Sequence, residues 1–252
     1  MLSRRALLAA APLALAAGSA RAAPLAATPI SRLDTPWWKA RHEAKLAELA
    51  RGAKPDLVWL GDSITENFER AGPQAYYQYQ PVWQRHYARY RALNLGFKGD
   101  STCHLLWRLK HGEIAGIAPR AAVILIGANN LGRVHWAASD TVLGIEAVVA
   151  ETRRALPNTG ILLLGVPPSD RGAWVAENTL AINRDLAAKT WPARVIYQDV
   201  GGIFLRDGQL DRGLFYDPKL SPPEPALHPT PEGMNAIAEA IAPNLARLIG
   251  NS

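Results

Sequence analysis

Cysteine is almost absent from this chain. Cys103 is the single cysteine among 252 residues, which excludes an intramolecular disulfide and a zinc site built on several cysteine ligands. A lone thiol could still act as a nucleophile. However, Cys103 lies among apolar neighbours in Thr102-Cys103-His104-Leu105-Leu106, a setting more typical of a small buried side chain. We therefore predict that Cys103 is buried and unreactive.

Strong charge of either sign is missing as well. The chain has 28 basic and 22 acidic residues, and it contains no basic run interleaved with aromatic residues, so nothing favours a nucleic-acid partner. The histidines follow no metal-ligand spacing, and neither a phosphate-binding nor a dinucleotide-binding glycine motif is present. We predict no metal and no cofactor.

Long apolar runs are also missing. The N-terminal apolar stretch, residues 6–17, covers about 12 residues, whereas a membrane-spanning helix needs about 20. Because Arg4 and Arg5 precede it and Ala20-Arg21-Ala22 resembles a small-x-small cleavage site, we interpret residues 1–22 as a cleaved export signal. The paired arginines also fit a twin-arginine signal, and an uncleaved anchor is the alternative. We predict a periplasmic or secreted protein with no stable membrane insertion after cleavage.

What the sequence does contain is a regular alternation of short apolar runs with segments of helical periodicity. This alternation predicts a parallel sheet covered by helices on both faces. Strands are predicted at 57–60, 91–95, 121–126, 161–166 and 195–198. Helices are predicted at 34–52, 101–109, 141–156, 173–190 and 230–248.

The domain organisation follows from this pattern. Residues 23–33 belong to neither a predicted strand nor a predicted helix, and we expect them to form a mobile linker. A single α/β domain is predicted over residues 34–252, because the remaining length fits one domain and contains neither an internal repeat nor a low-complexity tract.

A serine follows the first predicted strand directly. Gly61-Asp62-Ser63 should form a strand-to-helix turn, in which the hydroxyl projects into the crevice at the carboxyl ends of the strands. The free N–H groups at the start of the next helix face the same crevice and favour developing negative charge. Ser63 is therefore a candidate nucleophile; the alternative is that it only caps the helix.

Three further stretches are predicted at the same edge of the sheet. Gly96-Phe97-Lys98-Gly99-Asp100 follows the second strand, and Asn129 follows the third, where its amide can donate hydrogen bonds. A long proline-rich connection, residues 201–229, ends in His228 just before the last helix. An imidazole at that position can reach a serine in the crevice.

Aromatic residues are concentrated between Gln74 and Tyr90. Aromatic side chains at mixed spacing occur more often in core and surface packing than in binding sites. Both interpretations stay open: the segment packs against the domain, or it forms a wall of a substrate cleft.

Taken in order, four blocks resemble the GDSL or SGNH hydrolase superfamily: Gly61-Asp62-Ser63, Gly99 within Gly96–Asp100, Gly127-Ala128-Asn129, and Leu227-His228-Pro229. The stretches Asn94–Thr102, Leu106–Leu109 and Gly127–Gly132 further resemble the branch containing the platelet-activating-factor acetylhydrolase catalytic subunits and their bacterial relatives. The resemblance implies a flavodoxin-like three-layer sandwich with a five-stranded parallel sheet.

The resemblance also implies a role for each block. Ser63 would be the nucleophile and His228 its base. The backbone N–H groups of Ser63 and Gly99, with the side-chain amide of Asn129, would form the oxyanion hole. We expect Gly99 to be glycine because a Cβ there would crowd the approach of the acyl carbon.

The sequence departs from the superfamily at the residue that orients the histidine. The superfamily pattern is Asp-x-x-His, but Pro225 stands three residues before His228. We prefer Glu224 as the replacement carboxylate, with Asp217 of the same loop as the alternative. A backbone carbonyl is the third possibility, which would give a Ser-His dyad.

These features together predict a secreted or periplasmic serine ester hydrolase that forms an acyl-Ser63 intermediate. We expect short acyl groups such as acetyl, carried by a small molecule or a glycan. A lysophospholipase or thioesterase is the nearest alternative, and transfer of the acyl group to an alcohol is chemically open. The missing aspartate motivates a further alternative, a non-catalytic carbohydrate-binding or assembly protein that retained the fold.

Overall fold

A five-stranded parallel sheet forms the centre of the protein. The computed structural model describes residues 23–250, so the predicted export signal, residues 1–22, lies outside the described residues. The strands are β1 (Leu57–Gly61), β2 (Leu93–Gly96), β3 (Ala121–Leu125), β4 (Gly160–Leu164) and β5 (Val195–Gln198). They pair in the order β2-β1-β3-β4-β5, all in parallel. This is the flavodoxin-like order, and it confirms the predicted fold.

Helices cover both faces of this sheet. In chain order they are α1 (Pro36–Ala50), α2 (Ser63–Glu66), α3 (Gln80–Tyr87), α4 (Thr102–Arg108), α5 (Ala128–Gly132), α6 (Ala138–Ala155), α7 (Ala173–Ala187) and α8 (Pro231–Gly250). The connection before α8 contains a small antiparallel pair, β6 (Leu205–Arg206) and β7 (Gln209–Leu210). Across residues 23–250, no helix has the length and apolarity that crossing a membrane requires.

Two hydrophobic cores lie on opposite faces of the sheet because successive strand residues point in opposite directions. Val58 and Leu60 of β1 belong to the core that is covered by α4, α6 and α7. Leu57 and Trp59 belong to the other core, which is covered by α3 and α8. Both faces of β1 are therefore buried, as the unbroken apolar run of its sequence predicts.

The fourth predicted strand is longer than the observed one. β4 ends at Leu164, although Val166 is apolar and buried. The side chain of Asn183 explains the difference, because its amide binds both the N–H and the carbonyl of Val166 at 2.8 and 2.9 Å. A helix side chain thus replaces the neighbouring strand as the hydrogen-bond partner.

Residues 23–33 are packed against the domain, which corrects the expectation of a mobile linker. The carbonyl of Ala26 accepts a hydrogen bond from Thr102 Oγ1 at 2.7 Å, and the N–H of Ile30 donates to the carbonyl of Cys103 at 3.1 Å. Gly144 of α6 makes this contact possible, since a Cβ there would lie 2.6 Å from the carbonyl oxygen of Ala26. The docking of residues 23–33 thus depends on a small residue in a helix that is distant in sequence, and the local sequence pattern could not predict it.

Candidate active site

Ser63 stands at the first position of α2, immediately after the carboxyl end of β1. The residue that caps this helix is Asp62, whose Oδ1 accepts the N–H of Ile64 at 2.9 Å. Ser63 Oγ instead lies 2.9 Å from Nε2 of His228. The alternative in which Ser63 only caps the helix is therefore wrong.

His228 lies between Ser63 and a carboxylate. Its Nδ1 is 2.6 Å from Oδ1 of Asp217. Because a carboxylate can only accept, Nδ1 carries the proton and Nε2 is free to accept from the serine hydroxyl. The three side chains thus form one continuous hydrogen-bonded line.

The acid in this line is Asp217, the alternative that the sequence left open, and the preference for Glu224 is wrong. The second oxygen of Asp217 accepts the backbone N–H groups of Leu227 and His228 at 2.8 and 2.6 Å. Glu224 contributes only its backbone N–H, which donates to the carbonyl of Asp217 at 3.0 Å, while its side chain is exposed. The loop therefore folds back on Asp217 and turns the Glu224 side chain outward.

The environment keeps Asp217 ionised. Burial alone would raise the pKa of this carboxyl, but the hydrogen bonds and charge of His228 and the backbone N–H groups outweigh it and hold the pKa below its usual range. An ionised carboxylate at this position can stabilise an imidazolium on His228.

The loop that carries His228 is fixed on both sides of the histidine. The N–H of Tyr216 donates to the carbonyl of His228 at 3.0 Å, and the hydroxyl of Tyr79 donates to the carbonyl of Pro229 at 2.5 Å. The ring of Tyr216 also stacks on the imidazole, with centroids 5.2 Å apart and an interplanar angle of 11°. The imidazole therefore has little freedom to rotate away from Ser63.

The structure also brings Asn129 and Gly99 to this edge. Asn129 Nδ2 donates to the carbonyl of Asp100 at 3.0 Å and lies 3.4 Å from Oδ2 of Asp62. These contacts connect the residue after Gly99 with the residue before Ser63. The side-chain amide and the two backbone segments thus meet at one place, as the sequence predicted.

The backbone conformation of residue 99 provides one reason why it is glycine. Gly99 has a φ of +75°, in the left-handed region that favours glycine, and a Cβ there would lie 2.6 Å from Nη1 of Arg133. The backbone conformation therefore favours glycine at this position, and crowding at the acyl carbon stays a prediction.

Asp62 is a fully buried carboxyl beside the nucleophile. Burial raises its pKa to about 6, although the N–H of Ile64 and the charge of His228 act in the opposite direction. Its charged form is consequently costly in the folded protein.

Arg108 forms a buried ionic centre beneath the site, and sequence reasoning did not identify it. Its Nε binds Asp100 at 2.8 Å, its Nη1 binds Glu113, and its Nη2 donates to the carbonyl of Gly61 at 3.1 Å. Arg108 thereby connects the backbone of Gly61, two residues before Ser63, with the side-chain carboxylate of Asp100, the residue after Gly99. A charged residue inside the apolar stretch Leu105–Leu109 was the available signal.

The cleft above Ser63 and His228 has a volume of about 350 Å³ and is lined mainly by polar and aromatic side chains. Among the described residues that line it, Leu220 alone is aliphatic, and Asn67, Arg70, Lys98 and the two tyrosines Tyr77 and Tyr216 supply much of the surface. The aromatic segment is thus divided: Tyr77 faces the cleft, whereas Tyr87 is buried in the core.

Cys103 is buried, and burial raises the pKa of its thiol to about 12. The structure therefore agrees with an unreactive cysteine. Within residues 23–250 there is no cluster of three or more His, Cys, Asp or Glu residues that could hold a metal ion.

Comparison with known proteins gives consistent matches. Over 131 residues, 52% of each chain, the sequence is 33% identical to platelet-activating factor acetylhydrolase IB subunit alpha2 of Gallus gallus. The chain thus spans about half the length of the curated relatives it matches. The solved structures that share the fold include two bacterial proteins.

The first is a GDSL-like lipase from Bacteroides thetaiotaomicron, with a TM-score of 0.63 at 15% identity over 82% of this chain and 98% of that one. The second is an acetylxylan esterase from Geobacillus stearothermophilus, with a TM-score of 0.55 at 20% identity over 79% and 95%. The model of the GDSL-like lipase/acylhydrolase family matches residues 59–236, which include the segments carrying Ser63, Gly99, Asn129, Asp217 and His228. The chain therefore belongs to the GDSL-like lipase/acylhydrolase family, a family of serine ester hydrolases.

Proposed function

We propose that this protein hydrolyses short-chain carboxylic esters through an acyl-Ser63 intermediate. The proposal rests on one continuous set of hydrogen bonds. Ser63 Oγ lies 2.9 Å from His228 Nε2, and His228 Nδ1 lies 2.6 Å from Asp217 Oδ1. Ser63, His228 and Asp217 all line the same open cleft. A serine hydroxyl is a weak nucleophile unless a base accepts its proton, and this geometry supplies the base.

The chemistry runs in two halves. His228 accepts the proton of Ser63 as Oγ attacks the ester carbonyl, and it then donates that proton to the departing alcohol, which leaves an acyl-serine. Water, deprotonated by the same imidazole, attacks the acyl-serine; the bond from the acyl carbon to Ser63 Oγ breaks, the imidazolium returns the proton to Oγ, and the acid is released. Asp217 stays ionised throughout and stabilises the imidazolium.

We assign the developing oxyanion to the N–H groups of Ser63 and Gly99 and to Asn129 Nδ2. Each preorganised donor of this kind contributes on the order of 3 to 4 kcal/mol to lowering the barrier. The contact of Asn129 with the carbonyl of Asp100 supports this role, because it fixes the amide beside the backbone of Gly99.

The wall of the cleft favours short acyl groups. A long alkyl chain would need an apolar channel, whereas the described wall contains Leu220 as its one aliphatic side chain. An acetyl ester of a carbohydrate fits this wall, in line with the acetylxylan esterase that shares the fold. The cleft gives less support to a lysophospholipase or thioesterase.

The structure removes the observation that suggested a non-catalytic carbohydrate-binding protein. This alternative was suggested by Pro225, which stands where the superfamily has its acid, and Asp217 supplies that carboxylate from elsewhere in the loop. Transfer to an alcohol in place of water would use the same acyl-serine.

A serine substitution tests the proposal. Ser63→Ala should abolish hydrolysis of 4-nitrophenyl acetate and labelling by a fluorophosphonate, while Ser139→Ala, an exposed serine on α6, should retain both. Equal turnover by the wild type and Ser63→Ala would overturn the proposal. Activity that rises from acetate to octanoate would favour the lipase alternative.

We also propose that the protein is exported, on the strength of the sequence pattern of residues 1–22. Expression of the full chain in a bacterial host, followed by fractionation and mass measurement, tests this. A periplasmic product lacking residues 1–22 is expected, and a full-length cytoplasmic product would contradict it.

A further inference from the structure

Arg70 lines the same cleft as Ser63 and His228, and its positive charge is not matched by an acid. Its Nη1 donates to Tyr216 OH at 3.1 Å and to Asn67 Oδ1 at 3.3 Å, and both partners are neutral. Among the described residues, no carboxylate forms an ion pair with it. By contrast, Arg41 pairs with Glu69 at 2.8 Å.

The guanidinium of Arg70 is nevertheless held in place. It lies 4.0 Å from the centre of the Tyr77 ring and 5.6 Å from that of Tyr216. The described residues offer no hydrogen-bond partner to its Nε and Nη2. Together these two nitrogens form a fork with the geometry that a carboxylate or phosphate accepts in a bidentate manner.

The other charges that face the cleft do not cancel Arg70. Asp217 is bound to His228, and Glu66 accepts the N–H of Lys98 and lies 3.8 Å from Arg41. Glu224 remains as an exposed carboxylate, and Lys98 adds a second cation. The wall therefore presents two cations and one acid that has no ion-pair partner among the described residues.

Arg70 is also close to the reacting atoms, because a single side chain separates it from the base. The Tyr216 ring stacks on the imidazole of His228, and its hydroxyl accepts the hydrogen bond from Arg70. A substrate whose ester carbonyl lies at Ser63 can thus contact Arg70 through a second group, if about one ring of the substrate separates that group from the ester.

We propose that Arg70 binds an oxyanion on the alcohol part of the substrate, so that the preferred substrates are acyl esters of anionic sugars, either sugar acids or sugar phosphates. This inference rests on the proposed esterase function and adds the class of alcohol. A carboxylate and a phosphate present the same chemistry to the guanidinium, and the experiment below distinguishes them.

Three monoacetates, matched in the position of the acetyl group, test the proposal: methyl glucoside, methyl glucuronoside and glucose 6-phosphate. The readout is the ratio of kcat/KM for each anionic ester to that for the neutral one. We expect a ratio of about 10 or more in the wild type for at least one anion, arising mainly from KM. The anionic ester with the higher ratio shows whether Arg70 prefers a sugar carboxylate or a sugar phosphate.

Three variants complete the test. Arg70→Gln should bring the ratio close to 1, and Arg70→Lys should keep part of it, since lysine retains the charge without the fork. Arg89→Gln is the matched control, because Arg89 lies 4.6 Å from the centre of the Tyr90 ring on an exposed surface away from the cleft, and it should keep the wild-type ratio.

Two results would overturn the inference: a wild-type ratio near or below 1, or a ratio that Arg70→Gln leaves unchanged. If Arg70→Gln does not fold, two other measurements test the inference. The first is the ratio for Arg70→Lys. The second is the salt dependence of the wild type, because raising salt from 50 to 500 mM should increase KM for the anionic esters alone. Failure to hydrolyse even 4-nitrophenyl acetate would instead refute the esterase function, so the two failures are distinguishable.

Discussion

Oδ1 of Asp217 lies 2.6 Å from Nδ1 of His228, although the residue three positions before that histidine is Pro225. The superfamily places acid and base within one turn of chain, whereas here a longer loop, residues 218–227, separates them, and Leu220 and Glu224 of this loop line the cleft. The hydrogen bonds from the backbone N–H groups of Leu227 and His228 to Asp217 Oδ2 hold the two ends of this loop together.

The first prediction concerns this pair. Asp217→Asn should lower kcat by about 100-fold to 10,000-fold, because the amide cannot stabilise the imidazolium and disfavours the required tautomer. The loss should exceed that of Glu224→Gln by at least about 100-fold. Steady-state kinetics with 4-nitrophenyl acetate measures both, and equal losses would restore Glu224 as the orienting acid.

The second prediction concerns pH and Asp62. Its folded pKa of about 6 lies above the ordinary value of 3.8, so the folded state retains a proton that the unfolded state has lost between these values. This contribution to the free energy of unfolding therefore falls as pH rises from about 4 to 6, by up to about 3 kcal/mol.

Asp62→Asn removes this titration and keeps an oxygen to cap α2 through the N–H of Ile64. Relative to the wild type, the variant should be more stable at pH 8 than at pH 4.5, by about 1 to 3 kcal/mol. Urea unfolding at the two pH values measures the difference. An identical difference between variant and wild type at both values would contradict the assignment.

The third prediction compares two glycines. Gly99 and Gly116 have similar φ values, +75° and +72°, but a Cβ at Gly116 would meet no atom within 4 Å. Alanine at either position should cost about 1 to 2 kcal/mol of stability, because both backbones are left-handed.

The two alanine variants should differ in activity. Gly99→Ala should lose about 10-fold to 100-fold in kcat, since a shift of its backbone displaces an oxyanion donor. Gly116→Ala should retain the wild-type rate. Thermal unfolding and kcat measured on the same samples test this, and a full rate for Gly99→Ala would contradict the predicted displacement of the donor.

The fourth prediction concerns the buried ionic centre. Arg108→Gln should destabilise the protein by about 3 to 5 kcal/mol, because it removes the buried cation that Asp100 and Glu113 share, and their remaining partners, Arg32 and the His42 ring, replace only part of it. Arg91→Gln is the control: Arg91 pairs with Asp56 at 2.8 Å on an exposed surface, and its loss should cost about 1 kcal/mol or less. Chemical unfolding of the two variants gives the comparison.

The sequence predicted the parts of the site whose position depends on local structure. Ser63, Gly99 and Asn129 each follow a strand whose apolar run is easy to recognise, and His228 precedes a helix with a clear start at Thr230 and Pro231. Parallel strands bring these residues to one edge once the order of the strands is known.

The remaining features depend on contacts between segments that are distant in the chain. Glu224 was preferred because it is close to His228 in sequence, but the path of the loop turns its side chain to solvent. The docking of Ala26 depends on Gly144, and the role of Arg108 depends on carbonyls of two different strands. Periodicity and local spacing carry no information about such contacts.

The acid and the base lie on one short segment, residues 217–228, whereas the nucleophile lies at the start of α2, next to the central strand β1. Within this segment, Asp217 is bound to His228 through both the side chain and the backbone, and its carbonyl is bound by Glu224. The pair is also anchored to the rest of the domain, because the hydroxyl of Tyr79 donates to the carbonyl of Pro229 and the N–H of Asp170 donates to the carbonyl of Ala226 at 2.9 Å. The alignment of the acid and the base with Ser63 should therefore persist until these contacts break, and heat inactivation should accompany the loss of packing of residues 217–228 against the domain.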